Sequence, residues 1–322
     1  MERPKVLVTR RWPAEVERAL QERFEVTLNA SDRPLSAAEL ARAMDAYDVL
    51  CPTVSDRIDA AVIGAGSRVR LIANYGVGFD HIDLAAAKAR DIAVTNTPGV
   101  LTDATADIAL TLLLMAARRA GEGERELRDG RWSGWRPTHL IGSALRGKVL
   151  GLVGMGRIAI ATARRAKHGF GMTIAYYGRH ECDPAVAAEL GAEFYPSLHT
   201  LLRVADFVSL HVPGGPATAN LIDAEAIAAM KPGAYLINTA RGGIVDHDAL
   251  AEALDAGRIA GAGLDVYPHE PQVPAALLGL ENVVLLPHLG SATAETRIAM
   301  GMKALANVEA FAAGAALPDR VA

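Results

Sequence analysis

Cysteine is nearly missing from this chain: Cys51 and Cys182 are the only two in 322 residues. Two thiols that far apart exclude a disulfide framework and a zinc cluster. A surplus of positive charge is also lacking. The 33 Lys+Arg stand against 37 Asp+Glu, a net charge of −4 with no basic block, which argues against nucleic acid or an anionic membrane surface as partner. No long apolar run is present. The greasiest stretch, Ile108 to Ala117, is broken by Thr111 and is far shorter than the ~20 residues of a membrane span. The opening Met1-Glu2-Arg3-Pro4-Lys5-Val6-Leu7-Val8 runs directly into a strand-like segment without a secretory apolar region, so a cytoplasmic location is expected. Low-complexity and long polar tracts are missing too, which excludes extensive disorder. What remains is a chain 51% apolar and 22% charged, the composition of a soluble globular protein. At roughly 150 residues per domain, its length suggests two domains.

Short β-rich apolar runs alternate with Ala/Leu/Glu/Arg-rich helical stretches throughout, the mark of βαβ units and parallel sheets. Strands are expected at Lys5–Val8, Phe24–Leu28, Val49–Cys51, Leu71–Ala73 and Ile92–Val94, with helices such as Ala14–Arg23 and Ser36–Met44 between them. A long helical stretch, about Asp103–Arg118, precedes a polar segment with Gly130, Gly134 and Pro137. A second series follows at Val149–Gly154, Thr173–Tyr177, Phe207–Val212, Ala234–Thr239, Gly261–Val266 and Val283–Pro287. Six strands with crossover helices fit an α/β, doubly wound parallel sheet. A last helical pattern, Ala292–Ala312, is placed either on the second domain or back on the first.

Gly154-Met155-Gly156-Arg157-Ile158-Ala159 joins the strand Val149–Val153 to a helix over Ile160–Lys167. This is a G-x-G-x-x-A turn. Gly154 makes the tight bend, Gly156 lets backbone amides approach a pyrophosphate, and Ala159 still permits close helix–strand packing. A dinucleotide site is therefore expected. The next strand ends Tyr176-Tyr177-Gly178-Arg179-His180, without the acid that would bind the ribose hydroxyls of NAD(H). Arg179 can instead pair with a 2′-phosphate, which favours NADP(H) over NAD(H).

Ligands of open parallel sheets bind beyond the carboxyl ends of the strands. Reading those ends in the second series gives Arg241, Glu270 and His288. The set suits reduction of a 2-oxo acid. The Arg clamps a carboxylate and polarises the neighbouring carbonyl, the His donates a proton to oxygen, and the Glu holds the other imidazole nitrogen. No metal is required, because hydride chemistry belongs to the nicotinamide. His211 and His269 are the rival proton donors; His211 ends a strand where adenine is expected.

These segments resemble the D-isomer-specific 2-hydroxyacid dehydrogenases, within which the chain is most similar to glyoxylate/hydroxypyruvate reductases. The likeness covers nearly the whole length. It rests on Asn74–Asp80 (NYGVGFD), Asn96–Asp107 (NTPGVLTDATAD), the glycine turn, Asn238–Asp246 (NTARGGIVD), Gly263–Tyr267 (GLDVY) and Pro287–Thr293 (PHLGSAT). The resemblance implies a Rossmann cofactor domain, 98–289, inserted into a smaller flavodoxin-like substrate domain, 1–97 with 290–322. It makes Arg241, Glu270 and His288 the catalytic set, with Val77 and Gly78 amides joining Arg241 and His288 on the substrate. It places Thr105, Gly154, Gly156, Arg157, Ile158, Thr218, Ala240 and Asp265 on the cofactor, together with Arg179, His180, Val212, Pro213, Thr239, His288 and Gly290. It also implies a homodimer formed through the cofactor domain, in which Trp135 reaches the partner's site and limits substrate size.

Other classes fit less well. A Tyr-x-x-x-Lys pair for short-chain reduction is missing, and the cysteines are too few for a zinc alcohol dehydrogenase. Within the family, a 2-ketogluconate or broad 2-ketoacid reductase is the alternative. A nucleotide-sensing corepressor shares the fold, but the chain stops soon after the last helical pattern, without a regulatory tail.

Overall fold

A computed structural model describes residues 3–322. The chain forms two compact units, one from the residues up to Leu101 together with Ser291–Ala322, the other from Thr102–Gly290.

The first unit is a five-stranded parallel sheet of β1 (Lys5–Val8), β2 (Glu25–Leu28), β3 (Val49–Cys51), β4 (Leu71–Ala73) and β5 (Ala93–Thr95), in the order β2-β1-β3-β4-β5. This is the flavodoxin-like doubly wound order. Alternate side chains of each strand enter opposite layers, as the pleat requires. Val6, Val8, Val49, Cys51, Leu71 and Ala73 join one core, whereas Leu7, Leu50 and Ile72 join the other. The helix expected to start at Ser36 starts one residue later, at Ala37. Ser36 is its cap, accepting the Glu39 amide at 3.3 Å while the Glu39 carboxylate takes the Ser36 amide at 2.8 Å.

The last helix, Ala294–Ala312, belongs to this first unit. Met300, Ala304, Leu305 and Val308 complete the core of β1, β3 and β4. Gly301 lets the helix lie against Ala14–Arg23, since a Cβ there would come within 2.7–2.8 Å of the Val16 methyls.

The second unit holds β6 (Val149–Val153), β7 (Thr173–Tyr177), β8 (Glu193–Tyr195), β9 (Phe207–Leu210), β10 (Tyr235–Asn238), β11 (Gly261–Leu264) and β12 (Val283–Leu285). Seven parallel strands, not six, run in the order β12-β11-β10-β9-β6-β7-β8. The strand that pattern reading passes over is β8, a three-residue edge strand with no fully buried residue. It lies between helices of seven residues each, Pro184–Leu190 and Leu198–Val204. Both faces of the sheet are covered, Leu236 joining one core and Tyr235 and Ile237 the other, so its central strands read as continuous apolar runs.

Register matters most for the site. Val153, Leu210, Asn238, Leu264 and Leu285 are paired in one row across five adjacent strands. The segments after β6, β9, β10, β11 and β12 therefore leave the sheet at one level. The winding reverses between β6 and β9, the switch point where such sheets bind ligands. Among the described residues no helix is long and apolar enough to cross a membrane.

A larger residue at Gly301 has to push Val16 away. Gly301→Leu is expected to destabilise the first unit by about 1–3 kcal/mol. Hydrogen exchange should then quicken in β1, β3 and β4 while the sheet of Thr102–Gly290 keeps its protection. Equal loosening of both sheets would show that the last helix does not belong to the first unit alone.

Candidate active site

The glycine turn has the expected form. Gly154 sits at φ +93°, and a Cβ there would come within 2.8 Å of the His211 carbonyl oxygen. The helix that follows is Arg157–Phe170, three residues earlier than its apolar pattern suggests. Gly156 is its cap, in extended conformation and with no side-chain cap bond. Nothing lies within 4 Å of the position a Gly156 Cβ would take. The positive end of a 14-residue helix thus has no side-chain cap, and the space beside Gly156 is open. Ala159 is fully buried against the strand side, Ile158 is half-buried and Arg157 is exposed.

Beyond β7 no carboxylate stands between Tyr177 and His180, and Arg179 and His180 are exposed. The Tyr176 hydroxyl accepts the Cys182 amide at 3.0 Å and folds this loop back toward its strand. Beyond β9, His211 faces Ser209 Oγ at 2.9 Å, with burial pushing its imidazole down to about 4. Burial thus disfavours its charged form, which counts against it as a proton donor. Val212 and Pro213 follow, and Thr218 Oγ1 donates to the Pro213 carbonyl at 2.6 Å. His269, the other rival, is exposed in the loop before Glu270.

The ends of β10, β11 and β12 are joined by short contacts. Asn238 Oδ1 accepts the Ala240 amide at 3.0 Å, and its Nδ2 donates to the Arg241 carbonyl at 2.8 Å. Thr239 Oγ1 is buried without a partner. Gly242 lies flush on the next loop: a Cβ there would fall 2.0 Å from Tyr267 C and 2.4 Å from Pro268 N. Glu270 Oε1 accepts the Tyr267 amide at 3.0 Å, while Oε2 lies 2.7 Å from His288 Nδ1. Both side chains are about one-third exposed, at 33% and 32%. Burial pushes the Glu270 carboxyl up, but the His288 bond and charge, the Tyr267 amide and the Arg241 charge outweigh it and hold it below the usual carboxylate range.

His288 is held at φ +55°, a conformation that costs a non-glycine residue about 1–3 kcal/mol. Asp265 supports it. The Asp265 carbonyl accepts the His288 amide at 2.9 Å, and its carboxylate accepts the Leu289 and Gly290 amides at 2.6 and 2.8 Å. Thr105 Oγ1 donates to the Gly290 carbonyl at 3.0 Å, closing the turn from the helix Thr102–Ala117. Burial pushes the Asp265 carboxyl up; the two amides and the His288 charge offset this only in part.

Val77 and Gly78 lie in the first unit, on the loop after β4. Asn74, fully buried, donates through Nδ2 to the carbonyls of Gly76 (3.1 Å) and Gly78 (2.9 Å), and Asn96 donates to the Val77 carbonyl at 2.9 Å. Two buried amides thus tie down three successive carbonyls. His81 Nε2, 3.0 Å from Asn74 Oδ1, holds the first of them. Trp135 joins neither cluster. It is 83% exposed on a segment that also exposes Leu127, Trp132 and Ile141.

Pattern reading missed Asn74, Asn96, Tyr267 and Gly242 as site-forming residues. The only sequence signal for the asparagines is their place just past β4 and β5, ahead of glycine or proline turns. The Gly242 contact is easily tested. Gly242→Ala is expected to destabilise the protein by about 1–3 kcal/mol in urea unfolding. An unchanged midpoint would show that the Arg241 and Glu270 loops do not rest on one another.

Three comparisons place this geometry among known proteins. Residues 110–290 match the family model described as D-isomer specific 2-hydroxyacid dehydrogenase, NAD binding domain. The chain is 45% identical to the glyoxylate reductase of Thermococcus litoralis, over 99% of this chain and 97% of that protein. Among solved structures it is similar to the NADPH-dependent glyoxylate/hydroxypyruvate reductase of Sinorhizobium meliloti in complex with NADP and malonate (38% identity, TM-score 0.89, 100% of this chain and 97% of that one). It is also similar to the holo form of Rhodotorula graminis D-mandelate dehydrogenase (34% identity, TM-score 0.89, 100% and 98%). With the matched model spanning more than half of its length and relatives aligned over nearly all of it, the chain belongs to the D-isomer-specific 2-hydroxyacid dehydrogenase family.

Proposed function

We propose that the protein reduces a small 2-oxo acid, glyoxylate or hydroxypyruvate, to the D-2-hydroxy acid, with NADP(H) as the preferred cofactor. The observation that carries the reading is the 2.7 Å contact between His288 Nδ1 and Glu270 Oε2, next to the Arg241 loop. Glyoxylate is the substrate for which the Thermococcus and Sinorhizobium relatives are named.

The residues of the second unit fit a dinucleotide. The uncapped helix end at Gly156 suits a pyrophosphate, and the orphaned Thr239 hydroxyl offers a donor near the strand ends. The exposed Arg179, with no carboxylate beside it, suits a 2′-phosphate, and a relative at 38% identity was solved with NADP. Thr105, Arg157, Ile158, His180, Val212, Pro213, Thr218, Ala240, Asp265 and Gly290 complete the assigned contacts. The nicotinamide ring, when bound, supplies the hydride. Arg241 then holds the substrate carboxylate and polarises its carbonyl. In the first unit the Val77 and Gly78 amides are assigned to the substrate, their carbonyls being committed to Asn74 and Asn96. Glu270 fixes His288 through Nδ1 and leaves Nε2 to pass a proton to the developing alkoxide. The units up to Leu101 with Ser291–Ala322, and Thr102–Gly290, serve as substrate and cofactor domains.

Initial rates with NADPH and NADH against glyoxylate, hydroxypyruvate, pyruvate and 2-ketogluconate test this. Faster turnover of the first two acids with NADPH is expected. Under conditions where chemistry limits the rate, His288→Ala is expected to slow both reduction and alcohol oxidation by ~100-fold or more. Unchanged turnover in His288→Ala would remove His288 from this role, and an NADH preference would remove Arg179 from cofactor selection.

Leu127, Trp132, Trp135 and Ile141 are all exposed within one short stretch of chain, and apolar side chains so concentrated are better covered than solvated. A second copy of the chain is the proposed cover, with Trp135 reaching that copy's substrate. Light scattering should give twice 33.9 kDa for the natural protein and a single chain for Trp132→Glu/Trp135→Glu. A natural protein that stays monomeric would exclude the arrangement.

A further inference from the structure

At the amino-terminal edge of the first sheet, opposite the Val77–Gly78 loop, Arg3, Pro4, Lys5, Asp48, Arg68, Arg70 and Phe311 line a cavity of about 230 Å³. Four cations face one carboxylate, in a chain whose net charge is −4. That carboxylate is already committed. Asp48 accepts the Lys5 amide at 2.8 Å and a two-pronged contact from Arg68 at 2.9 and 3.2 Å. Lys5 Nζ pairs with Glu25 at 3.5 Å, both side chains well exposed, a contact that contributes little.

Arg70 immediately precedes β4, and its carbonyl accepts the Ala93 amide at 2.9 Å, so its backbone is fixed in the sheet. The guanidiniums of Arg70 and Arg3 engage no side chain among the described residues. Like charges gathered around a concavity repel one another, and an anion seated among them removes that cost. Planar guanidiniums are matched in pairs by the oxygens of a phosphate. Phe311, at the end of the helix Ala294–Ala312, adds one apolar wall.

We propose that this cavity binds a phosphate group, free or as the monoester of a small organic molecule whose carbon part lies on Phe311. The site is separate from the dinucleotide turn: it lies in the other unit and uses none of the residues assigned to cofactor or substrate.

Calorimetric titration of inorganic phosphate tests it, with the full-length protein saturated with NADP⁺ and chloride holding ionic strength constant. One saturable site per chain is expected. Arg70→Glu should weaken binding at least ~10-fold, the value of one charge-assisted contact, whereas Arg179→Ala should leave it unchanged. Equal affinity in Arg70→Glu, binding lost with Arg179→Ala, or no saturable heat beyond that of chloride would each overturn the proposal.

Discussion

The second unit depends on one buried carboxylate. Asp265 accepts the Leu289 and Gly290 amides through its side chain, and its carbonyl takes the His288 amide. Three successive amides on one residue hold His288 at φ +55°, a conformation that local preference opposes. The imidazole is thereby set against Glu270. That residue is in turn fixed by the Tyr267 amide, and the Tyr267 backbone carries the weight of Gly242 beside Arg241. Backbone contacts fix the Glu270 side chain and the main chain at His288 and beside Arg241, so the constellation rests on the registered ends of β10, β11 and β12 rather than on side-chain contacts alone.

The first unit solves the same problem with opposite polarity. Buried asparagines donate to three carbonyls in sequence, at Gly76, Val77 and Gly78. In both loops a buried polar side chain saturates one half of the backbone's hydrogen-bonding groups. An unsatisfied peptide group in such surroundings costs about 1–3 kcal/mol, so each loop has little freedom to turn over. Preorganisation of this kind is the usual requirement for stabilising charge that develops during a reaction.

Most of the architecture was legible in the chain because parallel strands buried on both faces are apolar runs, and the crossover helices between them are long enough to show a pattern. The glycine turn was legible because Gly154 stands where the backbone must adopt positive φ and pass the His211 carbonyl. Strand β8 was not, since three half-exposed edge residues carry no apolar periodicity. Nor could local pattern decide which sheet the last helix covers. That follows from contacts across most of the chain's length, Gly301 against Val16 and Met300, Ala304, Leu305 and Val308 in the core of β1, β3 and β4. Arg241, Glu270 and His288 were visible as polar residues just past apolar strands. The residues that fix the loops were hidden: Gly242 beside Arg241, and Asn74 and Asn96 beneath the Val77–Gly78 loop, act through contacts with backbone that exist only once the strands are paired.

The two carboxylates near His288 are driven in opposite directions, and the difference sets what each can do. Burial dominates at Asp265 and raises its carboxyl, so its ionised form costs stability at neutral pH, and the cost vanishes as pH falls through the folded value. At Glu270 the contacts to His288, Tyr267 and Arg241 win over burial and lower it, so its ionised form contributes stability that persists until pH falls below the ordinary carboxylate range. The group that partners His288 is thus the one whose charge is secured. The group that holds the turn gives up stability for geometry, because only an ionised carboxylate can accept two amides with both oxygens. Environments that push neighbouring carboxylates apart divide labour between them: here Glu270 keeps a charge beside His288, and Asp265 governs where His288 stands.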